Sequence, residues 1–257
     1  MTMHCLVLRL AGPLQSWGSR SQFNRRETDA EPTKSGILGL LAAAQGRRRS
    51  DPIEDLLGLH LGVRTDQPGS LLRDYHTVSD HRGRPLLSAA VTGKGLQKPT
   101  SPAKAVHVTA RFYLQDAVFV AAVGGPADVV APLLDAVRRP AFPLALGRRA
   151  CVPTQPLVID SPSPGNVWPG DPLTVLGNVP WQAEPGRRRT APRTVYLAVT
   201  VDDTAGNEVR TDVPRTFDPA GRSYATRPVQ SDWVTVDNPS AATGTSRGHD
   251  PFALLGW

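Results

Sequence analysis

Several arginines of this 257-residue chain stand beside glycines or aromatic side chains. That pairing suits neutralising a phosphate and stacking a base. Gly147-Arg148-Arg149 joins a backbone able to curl around an anion to two guanidinium groups. No carboxylate lies between Asp135 and Asp160, so neither arginine has an acid near it in sequence. Gln15-Ser16-Trp17-Gly18 follows Gly12-Pro13 and precedes Arg20, Arg25 and Arg26, offering an indole face, amide donors and cations. Trp17 also has an ordinary reading as the core anchor of its loop, and both readings stand open. Arg73-Asp74-Tyr75-His76 supplies a second aromatic face with a cation and an imidazole. Lys34 and Ser35 stand in the first turn of a helical segment, where free N–H groups suit a phosphate. A metal-independent ribonuclease needs a base for a 2′-hydroxyl and a cation for the phosphorane; Lys104 and His107 lie before the Arg111 strand but are not adjacent, and the other histidines complete no recognisable constellation.

Charge distribution says more than the formal net charge of +6. Residues 1–26, 81–115 and 136–159 contain no acid, yet hold fourteen of the 29 lysines and arginines. A chain with its positive charge gathered into blocks favours a polyanionic partner. The two cysteines, Cys5 and Cys151, lack CxxC spacing, so neither a disulfide framework nor a zinc site is expected, and a reducing cytoplasm fits. No cofactor or metal is expected. Gly93-Lys94-Gly95 lacks the preceding glycine and following hydroxyl of a P-loop. No run is apolar and long enough for a membrane span, and no signal peptide is read at the start. No helix carries a basic face suited to a major groove, so a duplex-DNA reader ranks last.

The elements that must position these residues begin with Met3–Leu10. Leu6, Leu8 and Leu10 face one side and Cys5 and Val7 the other, which predicts a strand buried between layers. A helix follows, capped by Thr33 or Ser35 and closed by Gly46, with Ile37, Leu40, Leu41 and Ala44 on one face. Next come a short helix at 53–58, strands at 60–66 and 71–78, and a proline- and glycine-rich excursion at 81–105 carrying Lys94, Lys98 and Lys104. The excursion lacks apolar periodicity and is expected to be a contact element, not core. A strand-like stretch from Val106 to Val123 and an amphipathic helix at 127–139 complete the first part, with a last strand expected near 142–152 or just beyond. The order β-α-β-β-β-α predicts an α+β, ferredoxin-like sheet with helices on one face. Past residue 150 proline and glycine become dense, which predicts a small β-rich C-terminal domain over 151–257, with its clearest strand at 195–201. Arg187-Arg188-Arg189 reads as a loop. Residues 252–257 are expected to dock only beside a partner.

The runs Gly12–Gly18, Pro32–Leu41, Leu72–Val78 and Leu146–Pro153 resemble CasD proteins, the family-five RAMP subunits of type I-E CRISPR Cascade complexes. The resemblance spreads over roughly the first 155 residues and is loose beyond them. It implies an RRM-like RAMP domain over 1–150, with a β-hairpin thumb inserted near 81–105. It also implies a non-catalytic, cytoplasmic subunit that caps the 5′ handle of the crRNA, linking the backbone subunit CasC to the large subunit CasA, with target DNA met through the assembled complex. RNA contacts are expected from Gln15, Trp17, Gly18, Arg20, Arg25, Arg26, Lys34 and Ser35. A second group comprises Arg73, Tyr75, His76, Lys94, Lys98, Lys104, His107, Gly147, Arg148 and Arg149. The rival reading is a metal-independent endoribonuclease that processes repeat RNA. RAMP nucleases of another subtype use a tyrosine with adjacent lysine and histidine. Here Lys104 and His107 are not adjacent, and no tyrosine lies near the first helix.

Overall fold

A computed structural model describes residues 3–18, 24–163, 165–218 and 220–241. Strand β1 (His4–Ala11) is followed by the short strands β2 (Leu14–Gln15) and β3 (Arg25–Arg26), then helices α1 (Lys34–Ala44) and α2 (Glu54–Leu57). Strands β4 (His60–Gln67), β5 (Ser70–Ser79), β6 (Leu87–Val91), β7 (Gln97–Pro99), β8 (Val106–Gln115) and β9 (Val118–Gly125) come next. Helix α3 (Ala127–Arg138), strand β10 (Trp168–Pro169) and helices α4 (Pro172–Asn178) and α5 (Pro185–Thr190) lead to β11 (Thr194–Asp202), β12 (Glu208–Thr216) and β13 (Ser223–Asp237).

The main sheet has the order β10-β1-β9-β4-β11-β13-β12. Every neighbouring pair in it is antiparallel. The alternation in β1 works as its residues dictate. Leu6, Leu8 and Leu10 join the core under α1 and α3. Cys5 and Val7 join a second core with Val175 and Leu176 of α4 on the opposite face. Burial between two layers accounts for the apolar character of both faces. Burial, with a small contribution from the charge of Asp171, pushes the Cys5 thiol up to about 12, so it remains an apolar filler.

Three expectations need correction. Residues 142–152 form no strand, and the edge of the sheet at β1 is covered just beyond them, by a bridge from Leu8 to Val158 and then by β10. The strands beyond residue 150 do not form a sheet of their own, because β11 pairs with β4 in register Val199↔Arg64, Thr200↔Val63 and Val201↔Gly62. Arg187-Arg188-Arg189 lies in α5, not in a loop.

A buried ionic network locks α1 to the last three strands. The Asp212 carboxylate accepts from the Lys34 backbone N–H at 2.8 Å, and Lys34 Nζ reaches Asp202 at 2.7 Å. Arg227 binds Asp212 through Nε at 2.7 Å and Nη2 at 2.9 Å, and also meets Asp202. Burial alone would raise the Asp212 pKa. Arg227's hydrogen bonds and charge, the Lys34 amide and Arg210 outweigh it, and the carboxyl sits below its ordinary range. On the opposite face Arg64 and Asp66 are fully buried and paired at 2.6 Å, and Arg64 also donates to the Leu176, Val179 and Pro180 carbonyls. That pair fixes the chain after α4 against β4.

Candidate nucleic-acid interface

Strands β5 and β8 form a long hairpin in register from Ser70↔Gln115 to Ser79↔Val106. Its outer end carries the small hairpin β6–β7. Strand β3 pairs with β8 on the other side, in parallel, with Arg25↔Ala110 and Arg26↔Arg111. The arm is therefore longer than residues 81–105, beginning at β5 and ending at β8. Its exposed surface explains why 81–105 shows no apolar periodicity: the segment contributes nothing to the core clusters.

Directly opposed residues share a face of such a ladder. One face gathers Arg73 opposite Phe112, Tyr75 opposite Ala110, and Arg25 beside Ala110. The Arg25 guanidinium lies 5.1 Å from the Phe112 ring centroid and its Nε bonds Glu27 at 2.7 Å. Tyr75 is 61% exposed and Leu71 64%. Arg73 is exposed and makes no ion pair among the described residues. An open aromatic ring on the same face as two cations can stack a base while the guanidinium groups hold the adjoining phosphates.

The other face carries Asp74 opposite Arg111, His76 opposite Thr109, and Val78 opposite His107, with Arg26 alongside Arg111. His76 bonds Asp74. Arg111 Nε and Thr109 Oγ1 are buried without a hydrogen-bond partner among the described residues. Such groups cost free energy unless something covers and satisfies them. Arg111, Thr109 and Phe112 were absent from the sequence-based site. Arg111 belonged to the acid-free 81–115 window, and alternation along β8 was the signal that could have found it. Lys94 stands in the tip turn closed by Gly95, whose φ of +77° suits glycine; Lys98 is in β7, and Lys104 follows it. All three are exposed.

At the base of the arm, Gly147 has a φ of +88°, and a Cβ there would sit 1.8 Å from the Ser16 carbonyl oxygen. Only glycine allows this approach. Ser16 N–H donates to the Leu146 carbonyl at 3.1 Å, so the two loops are clamped together. The next residue does not do what its sequence suggested. Arg148 donates to the Phe112 carbonyl at 3.0 Å and to the Arg26 and Glu27 carbonyls at 2.7 and 3.2 Å. Its guanidinium also lies 4.7 Å from the centre of the Tyr113 ring. Arg148 fastens β3 to β8 and has little left for a phosphate, whereas Arg149 is exposed and makes no side-chain bond among the described residues.

Four more expected contacts are buried. Trp17 is 1% exposed and donates its Nε1–H to Gln15 Oε1 at 3.1 Å. Gln15 is fully buried and donates to the Leu10 and Ala117 carbonyls. The indole packs on the bare Gly36, where a Cβ would come 2.7 Å from Trp17 Cε3. Trp17 is therefore the core anchor of its loop, not a stacking surface. Ser35 Oγ meets Thr33 Oγ1 at 3.2 Å, and Thr33 caps the helix at Gly36 N–H. The start of α1 does attract an anion, as its exposed N–H groups require. That anion is the chain's own Asp212, and Lys34 is spent on Asp202. Gly18 is half-buried, and Arg20 lies outside the described residues, as do residues 242–257. No group of three or more His, Cys, Asp or Glu able to hold a metal occurs among the described residues. No described helix is long and apolar enough to cross a membrane.

The arm, its clamp and the sheet behind them can be set beside known proteins. The family described as "CRISPR-associated protein (Cas_Cas5)" matches residues 5–230. The "CRISPR system Cascade subunit CasD" of Escherichia coli (strain K12) is 35% identical over 187 residues, covering 67% of this chain and 75% of that one. Among solved structures, a chain of a "CRISPR RNA-guided surveillance complex" is similar with a TM-score of 0.72 at 36% identity, over 94% of this chain and 95% of that one. A second, described as "Crystal structure of Cas protein", has a TM-score of 0.64 at 29% identity, over 93% and 98%. With most of its sequence matched and its mixed, mostly sheet fold shared, the chain belongs to the Cas5 family of CRISPR-associated proteins.

Proposed function

We propose that the chain is a non-catalytic subunit of a type I-E Cascade complex. It caps the 5′ handle of the crRNA on the exposed face of the β3–β8–β5 arm. The observation that carries this reading is the open ring of Tyr75 on the same face as Arg73 and Arg25, on an arm whose outer segment 81–105 adds nothing to the core. Single-stranded RNA is held by such stacking platforms and basic grooves. The arm acts as the thumb of a ferredoxin-like RAMP unit. Support comes from the strand order β10-β1-β9-β4: numbering only the four strands around α1 and α3 gives 4-1-3-2, the ferredoxin-like order. Residues 1–150 supply most of that unit, and residues 151–257 are a β-rich extension sharing its sheet. The neighbours are the backbone subunit CasC and the large subunit CasA; target DNA is met through the assembled complex, in the cytoplasm. Against turnover, Tyr75 and His107 point to opposite faces of the hairpin, and Tyr113, which shares the face of His107, is buried beneath the Arg148 guanidinium.

The test uses an RNA oligonucleotide copied from the repeat-derived 5′ end of the guide. Replacing Tyr75 by alanine should weaken binding by roughly 1–3 kcal/mol, the usual loss for one stacked base. Replacing Arg73 by alanine should make the slope of log affinity against log salt shallower by roughly 0.7. Both side chains are exposed, so the melting temperature should hold. Wild-type affinity in both variants, or specific cleavage of the RNA, would overturn the reading.

A further inference from the structure

Strands β11 and β13 are apolar on both faces near the end of their ladder. One face is covered, because Val195, Leu197 and Val236 pack with Trp181 and Ala183. The other face carries Tyr196 opposite Thr235 and Ala198 opposite Trp233. None of these four side chains is charged, and the two aromatic rings are diagonal neighbours within reach of one another. Nothing among the described residues covers them: Tyr196 is 71% exposed and Trp233 67%. The pairing of β12 with β13 stops at Val229, so residues 230–237 have β11 on one side and no described strand on the other. In β1, apolar residues on both faces lie between two layers; here the second layer is missing.

The chain itself returns towards this bare face. Asn238 N–H still donates to the Arg193 carbonyl at 2.7 Å. Ala241 N–H then donates to the Asn238 carbonyl at 3.2 Å, closing a β-turn across Pro239 and Ser240. Ser240 N–H braces that turn by donating to Asn238 Oδ1 at 3.2 Å. Trp233 lies four residues before Asp237, about 13 Å along the strand. The sequence runs on for sixteen residues past Ala241, and its last six are Phe252-Ala253-Leu254-Leu255-Gly256-Trp257. Phe252 is eleven residues from Ala241, a reach of up to about 36 Å. We propose that Phe252–Trp257 packs on the Tyr196–Trp233 face of its own chain and supplies the missing layer.

Size selects this occupant over a separate molecule. An exposed tyrosine and tryptophan offer at most about 250 Å² each. A stable contact between separate proteins buries about 800 Å² per partner. A segment tethered a few residues away is present at an effective concentration of about millimolar, so a small patch is enough to hold it. The sequence alone suggested that these residues dock beside a partner; the bare face offers them a surface within the chain.

The experiment places two cysteines in the full chain and treats it with a short bismaleimide. Thr235→Cys with Ala253→Cys tests the face. Val209→Cys with Ala253→Cys is the control, because Val209 is 68% exposed but stands opposite Pro228, on the other side of the sheet. Cys5 and Cys151 are buried and contribute little. The Thr235 pair should bridge roughly tenfold faster than the control, at a rate unchanged by dilution of the protein. Adding Phe252→Ser and Leu255→Ser, or Trp233→Ser, should bring the two rates together. Equal rates in the parent overturn the proposal. So do bridges between chains that fade on dilution, which would make the occupant a second copy, and bridges that form only after another protein subunit is added.

Discussion

Replacing Arg148 by methionine and, separately, Arg149 by alanine should split two effects that adjacency in the chain would join. Arg148 donates three hydrogen bonds to carbonyls on β3, β8 and Glu27 and lies over Tyr113. A hydrogen bond to a charged group contributes about 1.5–3 kcal/mol when well shielded. Arg148 is half-buried and water can replace part of each bond, so a total loss of about 2–3 kcal/mol is expected. For a chain of this size that corresponds to a melting temperature lower by about 4–12 °C. Arg149 has nothing to lose in the fold, and its replacement should change stability by less than about 0.5 kcal/mol. Its effect should appear in RNA binding instead. With one phosphate contact gone, a fourfold rise in salt should cost the wild type about 2.6-fold more affinity than the variant. Thermal melting and fluorescence anisotropy at several salt concentrations read the two effects separately. Equal falls in melting temperature, or a stable Arg148 variant with a shallower slope, would refute the division of labour.

Three further predictions concern the frame. Gly36→Ala should destabilise by about 1–3 kcal/mol despite alanine's better helix propensity, because its Cβ would press on the immovable Trp17 ring at 2.7 Å. Gly39→Ala, whose Cβ would meet only Phe217 at 3.4 Å, should instead gain up to about 1 kcal/mol in urea denaturation. Asp212→Asn should cost about 3–5 kcal/mol at neutral pH by leaving Arg227 half-paired. Because the folded pKa of Asp212 is below its ordinary 3.8, its stabilisation is fully present above that pH and is lost as pH falls through the folded value. Burial raises the Glu31 pKa despite Arg210, so Glu31 acts in the opposite sense; the variant's melting curve should lose only the acid-side decline due to Asp212.

Local order was readable where one period decided it. The split of Leu6, Leu8 and Leu10 from Cys5 and Val7 follows from alternation alone, and Thr33 and Gly46 bracket α1 through capping chemistry. Side chains whose role depends on distant partners were not readable. Lys34 pairs with an aspartate 168 positions away, and Arg148 with carbonyls more than 30 positions away. Periodicity carries no information at such separations. Trp17 looked equally suited to stacking or to the core; the small Gly36 beneath it decided the matter. Within the arm, Arg73 and Tyr75 were legible as an exposed pair, whereas Arg111 and Thr109 were hidden because β8 continues almost directly into the fully buried β9.

The pairing of β11 with β4 has a consequence for synthesis on the ribosome. The outer edge of β4 waits for Val199–Val201, about 135 residues later, which at roughly 5–20 residues per second is a delay of roughly 7–27 s. During that interval the strand presents unpaired N–H and C=O groups beside an apolar surface, the situation in which nascent chains pair with the wrong neighbour. Asp202 and Asp212, which quiet the start of α1, emerge in the same late stretch. The first half of the protein is thus born with an open seam that only its own last sixty residues can close.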